Sequence, residues 1–336
     1  MKQNFFKRVL PTKLSVLFGV LMLLIGLVVG LNLRVFPKIK SSQEFRQSGD
    51  YRFTSPLLDC EIDQDIGTGE YKPSRIDVMD IISNNTNNGK INYAAVYFRD
   101  LNNGPWFGIN EKELFAPASL LKLPTMIGIF KYIESNPSFA TKEILFEKKL
   151  FEEQVIQNFA PEKELVLGQK YTVSDLIYRM IVYSDNQAYY LLSQNIDLNE
   201  VGKVFQDLGI EYISGTGYPD SISVKSYATF FRVLFNSSYL NRADSEKALE
   251  MLSEVKFDGG ISQGIPSTIL IAHKFGEREI SGQLNQLHDC GIVYYPKHPF
   301  ILCVMTRGQN WDDLSSTIGE ISKEIYTDIN QKYGGK

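Results

Sequence analysis

The stretch TVSDLIYRMIVYSDNQAYYLL, residues 172–192, decides the reading of the fold. Thr172 stands before a periodic apolar run and Asp175 follows three residues later, a capping-box pattern with aspartate in place of glutamate. Val173, Leu176, Ile177, Met180 and Ile181 recur at three- and four-residue steps, so the spacing predicts a helix that buries one face. That helix runs into Ser184-Asp185-Asn186. A serine hydroxyl there can hand a proton to a leaving group, and the Asn186 amide can orient a substrate or a neighbouring amine.

Upstream, Ser119-Leu120-Leu121-Lys122 opens an apolar run that continues through Phe130. A helix starting at Ser119 puts its hydroxyl and the Lys122 amine one turn apart on the same side. The electropositive helix start favours an alkoxide, and a buried lysine with a lowered pKa takes the serine proton. Pro124 is cheap in an opening turn, where its missing N–H has no partner to lose. Downstream, His273-Lys274-Phe275-Gly276 closes a strand-like run. A lysine on a strand edge pairs with a substrate carboxylate, and a glycine admits a ligand close to the backbone. Taken singly, each motif reads more readily as a helix cap, a polar turn or a surface lysine.

Around these motifs the chain alternates in character. A short helix over RIDVMDIIS from Arg75 precedes INYAAVYFRD and PWFGINE, two strands joined by the hairpin signal Asn102-Asn103-Gly104. Residues 119–265 are mainly helical. STILIAHKFG, CGIVYYP and FILCVMTRG then read as three β-branched and aromatic strands. From Trp311 a terminal helix carries the stripe Leu314, Ile318, Ile321, Ile325 and Ile329. Two strands, a helical insertion and three strands predict an α/β (α+β) architecture: one five-stranded antiparallel sheet, flanking terminal helices and an inserted helical subdomain. The cleft between sheet and insertion is the natural site. The expected domain spans 73–334, with sheet parts 75–118 and 266–334 and the helical part 119–265.

The formal charge of -4 removes the electrostatic argument for a nucleic-acid partner. Three histidines and three cysteines lack the spacing of a zinc site, so no metal or cofactor is expected. Cys290 and Cys303 are expected on neighbouring strands, as two buried thiols that pair only if the register allows. Near the N-terminus, residues 14–33 carry no charge and follow a basic segment, 1–13. Twenty helical residues reach ~30 Å, the hydrocarbon thickness. The expectation is a single-pass membrane anchor, cytoplasmic at its N-terminus, with a stalk over 34–72 and the folded domain outside. A cleaved signal peptide is the rival reading.

In this order the three motifs match Ser-x-x-Lys, Ser-Asp-Asn and Lys-Thr-Gly, and the chain resembles the class A β-lactamase family within the superfamily that includes the D-alanyl-D-alanine peptidases. The resemblance covers about residues 75–333 and implies the β-lactamase/transpeptidase-like fold. It makes Ser119 the acylated nucleophile, Lys122 its base, Ser184 the proton shuttle, Asn186 a substrate-positioning amide and Lys274 the carboxylate anchor. The oxyanion hole falls to the backbone N–H groups of Ser119 and Glu277, and Phe275 and Gly276 line the substrate.

Two departures stand out. Phe275 replaces a hydroxyl residue that helps to bind the substrate carboxylate. The family's Glu-x-x-Leu-Asn, whose glutamate activates the deacylating water, is missing from residues 187–273. Among Asp197, Glu200, Asp207, Glu211 and Asp220, Asp220 is the best-spaced replacement. Loss of that base costs about 3 to 5 kcal/mol in the hydrolytic step. The expected function is therefore a monomeric serine hydrolase acting on β-lactam or related acyl-amide bonds, with slow deacylation. The alternatives are a peptidoglycan D,D-peptidase and a non-turnover β-lactam-binding sensor or scaffold.

Overall fold

Eight residues rich in β-branched and aromatic side chains, Tyr93–Asp100 (β1), form a strand with almost every position buried, which requires cover on both faces. The computed structural model describes residues 17–24, 43–46, 51–61, 71–102, 104–149, 158–210, 221–279 and 284–334. Strand β1 turns back into β2 (Trp106–Ile109). Gly104 takes a φ of 83° in that turn, and the Asn102 N–H donates to the Asp100 carboxylate at 2.7 Å. Three late strands complete the sheet: β3 (Ile271–Arg278), β4 (Asn285–Val293) and β5 (Phe300–Gly308). The spatial order is β2-β1-β5-β4-β3, antiparallel throughout, as expected. This order leaves β3 at an edge.

Alternate side chains of the sheet serve two cores. Val96, Phe98, Leu302 and Val304 pack with helix α1 (Lys72–Asn87) and the terminal helix α8 (Trp311–Tyr333), where Ile318, Ile321 and Ile325 form the expected stripe. Ala95, Tyr97, Cys303 and Met305 face the helical insertion. At the heart of that insertion lies α2 (Lys122–Ser135), buried continuously from Lys122 through Phe130. Around it are α3 (Val173–Val182), α4 (Asn186–Ser193), α5 (Leu198–Asp207), α6 (Val224–Phe235) and α7 (Arg242–Ser253). The cap of α3 is the predicted one: Thr172 accepts from the Asp175 N–H, and the Asp175 side chain accepts in return from the Thr172 N–H.

Three expectations change. The membrane-anchor reading is overturned: among the described residues no helix is long and apolar enough to cross a membrane. Of the run 14–33, residues 17–24 are helical, and eight residues span only ~12 Å. The remainder of the run lies outside the described residues. The membrane partnership and the single-pass localisation read from that run fall with it. Secondly, Cys290 and Cys303 are not two thiols but a disulfide. The register places them directly opposite each other on β4 and β5 with both side chains on one buried face. Thirdly, part of the segment read as a stalk is built into the fold. Gln43–Arg46 pairs antiparallel with Leu57–Glu61. The Phe53 and Thr54 N–H groups donate to the Glu246 carboxylate at 2.7 and 2.9 Å, anchoring this segment on α7. The chain divides into two units, Met1–Lys40 and Ser41–Lys336, and the sheet and the helical insertion belong to the second.

Candidate active site

Ser119 sits in a single 3-10 turn, Ala118–Leu121, that runs directly into α2. The turn is braced from several sides. Ala118 has a φ of 50°, a conformation rare outside glycine and a mark of local constraint. The Leu120 carbonyl accepts from the buried Tyr227 hydroxyl at 2.9 Å. The Ala116 N–H donates to Gln286 at 3.1 Å, and the Ala116 carbonyl lies 3.1 Å from the His288 ring nitrogen Nε2. Gly276 on β3 fits against the turn itself. A Cβ at that position would lie 2.9 Å from the Leu120 side chain and 3.0 Å from both the Leu120 nitrogen and the Pro117 carbonyl. The glycine thus admits the Ser119 turn, bringing Ser119 beside the edge strand with its side chain half-buried.

One turn on, Lys122 is buried and donates to three neutral oxygens: the Ser184 carbonyl, Ser184 Oγ at 3.1 Å and Asn186 Oδ1 at 2.6 Å. Burial pushes its pKa down to about 7, against the opposing pull of Asp185 and Glu277. Lys274 is fully buried on β3 and reaches the same Ser184 Oγ, at 3.0 Å, and the Phe275 carbonyl at 2.8 Å. Burial, followed by the neighbouring Lys122 charge, holds Lys274 well below the usual lysine range. Two amines converging on one hydroxyl cannot both remain charged cheaply in a site of low dielectric, which favours at least one neutral amine near pH 7.

Ser184 itself has a φ of 53°. Asp185 fixes that turn by capping α4, its Oδ1 accepting from the Gln187 and Ala188 N–H groups at 2.7 and 3.2 Å. Burial raises the Asp185 pKa, and these two bonds oppose the rise. The middle motif therefore splits its labour: Asp185 holds the backbone while Ser184 and Asn186 meet the amine.

Farther along β3, Phe275 is buried and stacked on Phe257 with ring centroids 4.2 Å apart; Phe159 packs edge-on against both rings. The Glu277 carboxylate accepts from the Asn158 and Phe159 N–H groups at 3.1 and 3.0 Å. Burial raises its pKa, partly offset by those bonds and by the charges of Lys274 and Lys122.

The Beta-lactamase enzyme family model matches residues 77–329. The chain belongs to the β-lactamase enzyme family. Solved structures agree on the fold. A mutant of PBP-A, in an acyl-enzyme complex with penicillin G, is 18% identical with a TM-score of 0.64, covering 77% of this chain and 97% of its own. A β-lactamase from Sphaerobacter thermophilus is 21% identical with a TM-score of 0.63, covering 76% and 96%. A class A β-lactamase from Mycobacterium abscessus is 19% identical with a TM-score of 0.64, covering 75% and 99%. No curated protein matches the chain.

The fold thus brings Lys122, Ser184, Asn186 and Lys274 into one hydrogen-bonded group and sets the Ser119 turn against Gly276. Asp220, the substitute carboxylate, lies outside the described residues, as does Glu211. Asp197 caps α5 by accepting from the Asn199 N–H at 3.0 Å, and Asp207 accepts from the Tyr239 hydroxyl at 2.8 Å. Both have structural partners in this β-lactamase-family domain. The sequence reading missed Tyr227 and the aromatic stack on Phe275, because no local pattern links residues so far apart in the chain. It also took Glu277 for its backbone alone. The capping role of Asp185 was legible, since aspartate immediately before a helix is the standard N-cap signal.

Proposed function

We propose that this β-lactamase-family protein is an acyl-transferring serine hydrolase with Ser119 as nucleophile. The observation that carries the reading is the meeting of the Lys122 and Lys274 amines at Ser184 Oγ, at 3.1 and 3.0 Å, with Lys122 one turn along the chain from Ser119. Neutral Lys122 takes the Ser119 proton as Oγ attacks the acyl carbon. The oxyanion forms against the Ser119 and Glu277 backbone N–H groups. Ser184 then gives its proton to the leaving nitrogen and regains one from the Lys122 ammonium, so the proton lifted from Ser119 ends on Ser184 and Lys122 returns to neutral. Asn186 holds the Lys122 amine in line.

The substrate class is a β-lactam or a related acyl amide, supported by the family and by the penicillin acyl-enzyme of the similar PBP-A mutant. Hydrolysis of the Ser119 ester is slow, because Glu-x-x-Leu-Asn is absent and the acceptors around Lys122 are neutral. That same absence favours a second reading, a D,D-peptidase or β-lactam-binding protein that holds its adduct. The test is a time course of intact mass with a reporter β-lactam on the full chain, beside Ser119→Ala. A Ser119-dependent adduct that outlasts its formation by many half-times supports the proposal. Rapid turnover would overturn slow deacylation, and an adduct that persists in Ser119→Ala would overturn the nucleophile.

A further inference from the structure

Lys274 stands where a substrate carboxylate would be received, yet its amine is closed off. It is fully buried, committed to Ser184 Oγ and the Phe275 carbonyl, and covered by the Phe275 ring, whose centroid lies 4.1 Å from Nζ. A cation held against an aromatic face and two oxygens has no open direction for an incoming anion. Phe275 cannot move aside freely, because Phe257 and Phe159 clamp it.

Three residues beyond Lys274, the same edge strand carries an acidic group, Glu277. Its backbone N–H belongs to the oxyanion hole of the proposed function, so its half-buried side chain is carried by a residue that faces the acyl oxygen. The carboxylate is already ligated by the Asn158 and Phe159 N–H groups. Its charge also acts on Lys274 and Lys122, behind the larger contributions of Asp289 and Asp185, and opposes the effect of burial on both amines.

We propose that Phe275 and Glu277 are specificity-determining residues that turn this site against carboxylate-bearing acyl donors and toward donors that are uncharged beside the scissile bond. Phe275 removes the attraction by covering the cation, and Glu277 adds repulsion by presenting a like charge. Exclusion built from a lost partner and an added repulsion is the usual physical basis of discrimination. The inference rests on the proposed function, since it concerns which donors reach Ser119.

A matched pair tests it: benzylpenicillin and its methyl ester, which differ only in the carboxylate. Acylation of the full chain is followed by intact mass, and each rate is divided by that donor's rate with free hydroxide. The ester is expected to acylate Ser119 about tenfold faster or more, the reverse of a site with an open lysine anchor. Glu277→Gln keeps the shape and one acceptor for the 158–159 segment. It is expected to shift the ratio toward the carboxylate donor by about tenfold, and Phe275→Thr to shift it the same way. If Glu277 and Phe275 only hold the segment in place, both donors change together and the ratio stays fixed, which overturns the inference. A wild-type preference for the carboxylate donor overturns it too, while leaving the Ser119 reading intact. Failure of both donors to label Ser119 removes that reading and this inference with it.

Discussion

The Lys122 ammonium nitrogen lies 2.6 Å from Asn186 Oδ1, a neutral acceptor where a carboxylate would have locked the lysine in its charged form. Asparagine positions the amine without fixing its proton. This choice of amide over acid leaves burial in control of the lysine, at about 7.

The acylation rate should therefore follow the neutral fraction of Lys122. Protonated lysine cannot accept the Ser119 proton, so the second-order rate with a reporter β-lactam should fall as pH drops through about 7 and level off above it. Asn186→Asp places a negative charge against the amine and raises its pKa, by about 1 to 3 units for a close opposite charge. The rising limb of the profile should move to higher pH by that amount. A limb that does not move would assign the proton acceptor elsewhere.

Gly276 sets the distance between the edge strand and the Ser119 turn. Two of the three atoms nearest an added Cβ are backbone, the Leu120 nitrogen and the Pro117 carbonyl, both at 3.0 Å. Gly276→Ala must push the Ser119 turn outward, so acylation should drop on the order of 100-fold, as expected for misplacement by a fraction of an ångström to 1 Å. Thermal unfolding should record a smaller loss, about 1 to 3 kcal/mol. Unchanged acylation kinetics would place the reactive serine away from this contact.

His288 is buried beside Phe115, with its Nε2 against the Ala116 carbonyl, and burial lowers its pKa to about 4. The unfolded chain binds this proton near 6.5, so between about 4 and 6.5 the unfolded state holds more protons than the folded one. Stability is then full above about 6.5 and is lost as pH falls toward 4, by at most roughly 3 kcal/mol. His288→Gln keeps a donor for Ala116 and cannot titrate. Denaturant midpoints measured across this window should fall less steeply in that variant.

The Cys290–Cys303 bridge joins two central strands that already pair residue for residue. Non-reducing mass analysis of the folded protein should find this pair oxidised. The bridge closes a short loop, so its entropic contribution is about 3 kcal/mol. Reduction, or the double change Cys290→Ala with Cys303→Ala, should lower the unfolding midpoint correspondingly. Equal midpoints under oxidising and reducing conditions would show that the strands gain nothing from it.

Much of the architecture could be read locally. The apolar stripe from Leu314 to Ile329, the capping pair Thr172 and Asp175, and the strand-like runs before Lys274 and around Cys303 each carry their structure in a few neighbouring residues. Periodicity and capping are short-range physics, so one sequence suffices to expose them. The order of Ser119, Lys122, Ser184, Asn186 and Lys274 likewise pointed to one site, because the three short motifs that hold them match a family signature in sequence order.

What the sequence by itself determined was the sheet-and-insertion fold and the identity of the groups, Lys122, Ser184, Asn186 and Lys274, that the fold hydrogen-bonds together. Tertiary structure alone decided their chemical state and surroundings. Lys122 and Lys274 are ordinary cations in the chain and become weak bases only when both are buried against Ser184. Phe275 covers Lys274 only because Phe257 and Phe159 arrive from distant segments. Cys290 meets Cys303 only through the register of β4 on β5. Desolvation, ring packing and strand register depend on what folds alongside a residue, and that is a property of the assembled molecule.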